Sequence, residues 1–145
     1  MSFDNVYYLA IARAADKVVV ASLNYSAKFS PPDVSDMLSK LSMQRGVTYN
    51  FSHQGQGWHV VQQDSGELFM IMCAKESYPS RIAAICLNEL STISAPSIGS
   101  KWQSAGTGSL SGTCKNIMNE LCIKYDDLEQ ADKMTAMMAK VTSDV

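Results

Sequence analysis

Few side chains in this 145-residue chain combine the type and spacing that chemistry requires. Its two histidines are His53 and His59, and no further ligands stand near either at a metal-binding spacing. His59 falls between Trp58 and Val60 in a strand pattern, which reads as an ordinary strand-surface position. His53 ends a strand beside a turn and reads the same way. Cys73, Cys86, Cys114 and Cys122 form no C-x-x-C pair, and each sits inside an apolar pattern. That is the setting of small reduced core residues, not of a disulfide framework. Asp126, Asp127 and Glu129 offer neighbouring carboxylates, but adjacent acids on a helix normally face water, and nothing near them would raise a pKa for acid–base work. Gly106, Gly108 and Gly112 precede a helix as in a phosphate cradle. No strand comes before them, however, the Walker lysine–hydroxyl pair is missing, and the dinucleotide spacing is missed by one residue. The segment reads as a flexible linker. The expectation is a protein with no catalytic residue, cofactor or metal.

Bulk properties narrow the partners. A net charge of −2, with both signs scattered, supplies no basic face for nucleic acid and no polybasic cluster for anionic lipid. With 46% hydrophobic residues the chain is long enough for one domain with a sizeable core. Met1-Ser2-Phe3-Asp4-Asn5 carries an acid where a secretory signal would be basic, and no window reaches the length of a membrane span. The chain as given is expected to be soluble and cytosolic.

The elements follow from periodicity. Residues 6–12 and 18–25 are β-branched and aromatic runs joined by a short polar link, a hairpin. Pro32 and Asp33 suit a helix start, and Val34, Met37, Leu38 and Leu41 recur at helical spacing, which predicts a helix over 32–44 ending near Arg45 and Gly46. Residues 47–53 alternate, with Val47, Tyr49 and Phe51 on one face: a half-exposed strand at a sheet edge. A turn at 54–57, a strand at 58–63 and a second turn at 64–66 lead into the apolar run 68–74, a buried central strand. A charged turn then opens a helix with Ile82, Ile85, Cys86, Leu90 and Ile93 on its stripe. Residues 94–112 form a long Ser/Gly loop, in which Trp102 is the residue suited to pin it to the body. A last helix begins near Thr113 with Cys114, Ile117, Met118, Leu121 and Tyr125 on one face. This order of strands and helices gives an α+β layer fold.

Two patterns suit protein binding. An edge strand exposes unpaired N–H and C=O groups that accept an added extended segment. Val47, Tyr49 and Phe51 would supply alternating apolar contacts there, with Met37, Leu41 and Met43 on or beside the neighbouring helix. These six form the candidate partner-binding groove, although plain core packing accounts for such residues as well. Farther on, Ala131, Met134, Met138, Val141 and Val145 recur at 3-4-3-4 spacing, the beginning of a coiled-coil seam.

Taken together, Val47-Thr48-Tyr49 at the third strand, Ser77-Tyr78-Pro79-Ser80-Arg81-Ile82-Ala83 with Leu87-Asn88-Glu89-Leu90 after the apolar strand, and Tyr125-Asp126 before the heptads resemble the longin domain that begins many R-SNAREs, the synaptobrevin-like vesicle fusion proteins. The resemblance covers essentially the whole chain: a longin domain over 1–127 and the start of a SNARE coiled-coil segment over 128–145. It implies a profilin-like fold, a five-stranded antiparallel sheet with one helix on one face and two on the other. It implies a regulatory and targeting role in vesicle-mediated transport and membrane fusion. The partners would be the protein's own SNARE helix, docked between the first helix and the third strand, and other SNARE or coat/adaptor proteins. The location would be the cytoplasmic face of ER, Golgi, endosomal or vesicle membranes, with attachment through a region absent from this chain. Two features depart from the family: the Ser/Gly loop is long, and the central arginine that names the R class does not occur before Val145. A longin-like subunit of a coat adaptor or tethering complex is the alternative, and a small-molecule sensor or enzyme on a similar scaffold is a third reading.

Overall fold

The structure, a computed structural model, describes residues 3–26, 29 and 32–133. The elements are β1 (Val6–Arg13), β2 (Val19–Asn24), α1 (Val34–Ser39), β3 (Thr48–His53), β4 (Gln56–Gln62), β5 (Leu68–Lys75), α2 (Ser80–Ile98), a 3-10 turn (Lys101–Gln103) and α3 (Ser111–Asp126). A further helical stretch occupies 128–133. The fold is α+β, built on one five-stranded antiparallel sheet in the order β2-β1-β5-β4-β3. β1 and β5, the two most apolar runs, are interior strands, and both of their faces are buried. On one side Leu9, Ile11, Met70 and Met72 cluster with Ile82, Cys86 and Leu90 of α2 and with Cys114, Met118 and Cys122 of α3. On the other, Tyr8, Ala10, Ile71 and Cys73 cluster with Val34 and Leu38 of α1. Each fully buried Leu, Ile or Met contributes about 1.5–3 kcal/mol relative to exposure, so these clusters account for the sheet's two-sided burial.

Several boundaries differ from the pattern-based expectation, each for a tertiary reason. The first helix ends at Ser39 instead of reaching 44. Its start is secure, since the Asp33 carboxylate accepts the Asp36 amide at 3.0 Å as an N-cap. Past Lys40 the chain is claimed by the sheet. Arg45 forms a parallel bridge to Gln62, and the Gly46 amide donates to the Gln62 carbonyl at 2.8 Å. Gly46 sits at φ +77°, a left-handed conformation that strains any other residue, so glycine is favoured. The second helix runs past Ile93, through Pro96, to Ile98, because Ser94 and Ile98 are themselves buried against the body. α3 begins at Ser111, two residues before Thr113.

The Ser/Gly segment that remains between these helices is not a free linker. The Gly108 and Leu110 amides donate to the Val19 and Val20 carbonyls at 2.9 and 2.8 Å, and the Ser22 amide donates to Ser111 Oγ at 3.0 Å. Its backbone thus lies along the outer border of β2. Arg13 anchors the preceding stretch by donating from one guanidinium nitrogen to the Trp102 and Ala105 carbonyls at 2.9 and 2.8 Å. The Trp102 side chain packs partly buried against the helix-pair cluster.

Asp126 also departs from expectation. It is half-buried: its carboxylate accepts the Asn5 and Val6 amides, each at 2.7 Å, while the Asn5 side-chain amide donates to the Asp126 carbonyl at 2.7 Å. The end of α3 is therefore tied to the start of β1. Hydrogen bonds to a charged acceptor are worth about 1.5–3 kcal/mol. Asp126→Ala should lower the stability of the chain by about that amount, read as a reduced urea midpoint with an unchanged slope; an unaltered midpoint would show the clamp to be energetically idle.

Candidate partner-binding edge

β3 is the border strand opposite β2, and it pairs only with β4 among the described residues. The connecting turn has two residues, Gln54 at φ 54° and Gly55 at φ 79°, the signs of a type I′ hairpin turn. Such a turn makes His53 and Gln56 a hydrogen-bonded pair, and alternation then assigns Phe51–Trp58 and Tyr49–Val60 to bonded pairs as well. It follows that the amides and carbonyls of Thr48, Asn50 and Ser52 point outward. They form a six-residue border open to a further strand.

The six groove residues do not converge on one surface. Met37, Leu41, Met43 and Phe51 are partly buried and pack on the α1-side cluster. Met37 and Leu41 also line a cleft of about 230 Å³ between α1 and the end of β3, together with Asp36, Lys40 and His53. Tyr49 is half-buried, and its hydroxyl accepts the Gln44 amide at 3.1 Å, which pins the linker that follows α1. Val47 precedes the strand and is 43% exposed. His53, outside the six, joins the cleft from its place as the last residue of the edge strand. The Asp36–Lys40 ion pair at 3.0 Å forms the charged rim of the cleft.

Of the seam residues, Ala131 is fully buried and belongs to the cluster of α2 and α3. Met134, Met138, Val141 and Val145 lie outside the described residues.

A larger hollow of about 560 Å³ lies on the opposite face, between α2 and the β4–β5 turn, with Thr48, Gln63, Asp64, Leu87 and Ser91 on its walls. Its polar groups satisfy one another in part, since the Gln63 side chain donates to Ser91 Oγ at 2.6 Å.

The four thiols and His59 are buried, and burial favours their uncharged forms. Burial raises all four thiols, Cys73 up to about 12 and Cys86 well above its ordinary value, so none is a ready thiolate. His59 is not on the surface. It is buried within β4, with Nδ1 2.6 Å from Asn50 Oδ1 and its ring 6.2 Å from that of Tyr78. Alternation alone could not place it, because the face it occupies is covered by the helix pair. An acceptor at Nδ1 puts the proton of the neutral ring there, and Nε2 has no partner among the described residues. Among those residues no His/Cys/Asp/Glu cluster could hold a metal, and no helix is long and apolar enough to cross a membrane.

No protein-family model matches the chain, and no curated protein sequence matches it significantly.

Burial pushes the His59 imidazole down to about 4 from its ordinary value of 6.5. Between those values the unfolded chain binds a proton that the native chain does not. Stability should therefore fall as pH drops from about 6.5 towards 4, by up to about 1.4 kcal/mol per pH unit from this group. Urea unfolding across that range should show the slope, and His59→Gln should flatten it; an unchanged slope in the variant would assign the loss to other groups.

Proposed function

We propose that this chain is the regulatory and targeting longin-type domain of a SNARE protein, acting by binding and not by catalysis. The single observation that carries the reading is the uneven treatment of the sheet's borders: the chain's own backbone covers β2, while among the described residues β3 is left open beside an apolar cleft under α1. An extended segment added to Thr48, Asn50 and Ser52 would gain main-chain hydrogen bonds, and Met37 and Leu41 would receive an apolar side chain from it. The sheet order, with α1 against one face and α2 and α3 against the other, supports a longin-like arrangement. The resemblance at residues 77–90 and 125–126 supplies the SNARE connection.

On this reading the occupants are the protein's own SNARE region or a trafficking partner. The work is done at the cytoplasmic face of a vesicle, Golgi, endosomal or ER membrane, and no cofactor takes part. The edge holds the SNARE region until a competing partner displaces it.

Amide exchange on the protein as encoded in full, including any coding sequence after Val145, tests this. The outward amides of Thr48, Asn50 and Ser52 should exchange on the order of tenfold more slowly than in the 145-residue chain. Phe51→Asp should restore fast exchange by placing a charge beside the docked segment. Equal exchange in both lengths, or protection indifferent to that substitution, would remove self-docking at β3.

A further inference from the structure

The hollow of about 560 Å³ between α2 and the β4–β5 turn has an apolar floor and an acceptor-rich wall. Met70 and Leu87, core residues of β5 and α2, form the floor. On the wall the side-chain donors are already engaged. The Gln62 side-chain nitrogen donates to the Gly66 carbonyl at 3.1 Å, and that of Gln63 donates to Ser91 Oγ at 2.6 Å. Both carboxamides keep an uncommitted oxygen among the described residues. Asp64 and Glu67 stand at the exposed rim, and neither carboxylate has an ion pair among those residues. No described Lys or Arg lines the hollow. Arg45 lies nearby over Gly66, where an added Cβ would meet its guanidinium, but it is not one of the lining side chains. Acceptors around an aliphatic floor suit a cation on an apolar stem, which buries the stem and keeps its charge at the rim. A metal ion would make no use of that floor, and an anion would meet two carboxylates.

The hollow adjoins the first residue of β3. Thr48 lines it, and Val61, opposite Thr48 in the ladder, packs on the helix-pair cluster. The α1 cleft flanks the other end of the same strand, where His53 lines it and Phe51 packs on the α1-side cluster. One border strand thus has a cavity at each end, on opposite faces of the sheet. We infer that the hollow is a subsite for a lysine or arginine side chain carried by the segment added to β3. The inference rests on the docking reading above and names what that segment must carry. Directly opposed residues of paired strands share a face. The residue set against Thr48 therefore leans over the hollow, and the residue set against Phe51 leans towards the cleft. An odd separation between basic residue and apolar anchor serves both cavities, whereas an even one puts both on the same face. Residues 46–57 carry no Lys, Arg, Asp or Glu, so the choice of charge comes from Asp64 and Glu67 of the hollow.

Amide NMR shifts of the isotope-labelled 145-residue chain at neutral pH test the subsite. Butylammonium, the lysine side chain alone, should shift the amides of 62–67 and 84–91 with a dissociation constant on the order of millimolar. Butanol has the same stem without the charge and should bind more weakly. Asp64→Asn with Glu67→Gln keeps the shape of the rim and removes both charges, and should weaken the amine about fivefold. No shift at these residues, equal binding of butanol, or binding untouched in the double variant overturns the subsite. A second arm reads the source of the cation. The peptide Thr-Thr-Lys-Thr-Thr-Leu-Thr-Thr sets its lysine and leucine on opposite faces, and Thr-Thr-Lys-Thr-Leu-Thr-Thr-Thr sets them on one. The first should bind about threefold tighter and shift both 48–53 and 62–67; equal affinity overturns the shared register. Amine binding in the hollow with no peptide shift at 48–53 would fault the docking edge and leave the hollow to a free aliphatic amine, overturning a strand-borne side chain. The amine arm needs no docked strand, so the hollow and the edge fail separately.

Discussion

Every open sheet must settle the backbone hydrogen bonds of its two borders, and here the two are settled differently. Along β2 the amides of Gly108 and Leu110 and the hydroxyl of Ser111 supply the missing partners. That seal explains why so long a connection between α2 and α3 is kept, and why Arg13 reaches across to hold Trp102 and Ala105 by their carbonyls. Along β3 nothing comparable is present among the described residues. The stretch from Gly46 to Gly57 holds no Lys, Arg, Asp or Glu, the residues that guard natural edges against unwanted pairing. Brevity and the flanking α1 are its remaining protection. Among the described residues the architecture thus leaves β3 as the border open to pairing.

The strands were legible because each lies in a run whose apolar content matches its burial: β1 and β5 between neighbours on both sides, β3 with one polar face at the border. Less was legible wherever a distant partner decides. α1 stops early because Arg45 and Gly46 are taken by Gln62, a contact that helical spacing cannot report. The Ser/Gly composition of residues 94–112 suggested a loop, yet its first part is helical because Ser94 and Ile98 find the core, and its last part lies along β2. Asp126 looked solvated because its partners, Asn5 and Val6, stand at the other end of the chain. At the candidate edge, sequence located the strand and two cleft residues, Met37 and Leu41. It did not foresee that Tyr49 would be engaged by Gln44, nor that His53 would close one end of the cleft.

The buried thiols and two of the tyrosines are engaged in the packing of the body. The thiols are buried and held protonated, and Tyr78 and Tyr125 are pushed well above the ordinary phenol range by burial. The Tyr78 hydroxyl donates to the Tyr125 carbonyl at 2.7 Å, and the Tyr125 hydroxyl bonds the Glu89 carboxylate, which also pairs with Lys124. These bonds fasten α3 to α2 and to the turn after β5.

The buried imidazole gives this edge a further property. Asn50 and His59 are directly opposite in the β3–β4 ladder, and exposed Asn50 reaches the buried His59 ring on the sheet face that carries the helix pair. Slipping β3 by one residue would turn Asn50 to the other face, strand His59 Nδ1 without a partner, and move Tyr49 and Phe51 away from α1. An unsatisfied buried polar group alone costs about 1–3 kcal/mol. The pair therefore favours this register of an otherwise short and uncharged border strand. A border held in this register presents the outward groups of Thr48, Asn50 and Ser52 in one phase, with Phe51 on the cleft side. On the proposed docking reading, an added segment would be selected by which of its own alternate residues are apolar.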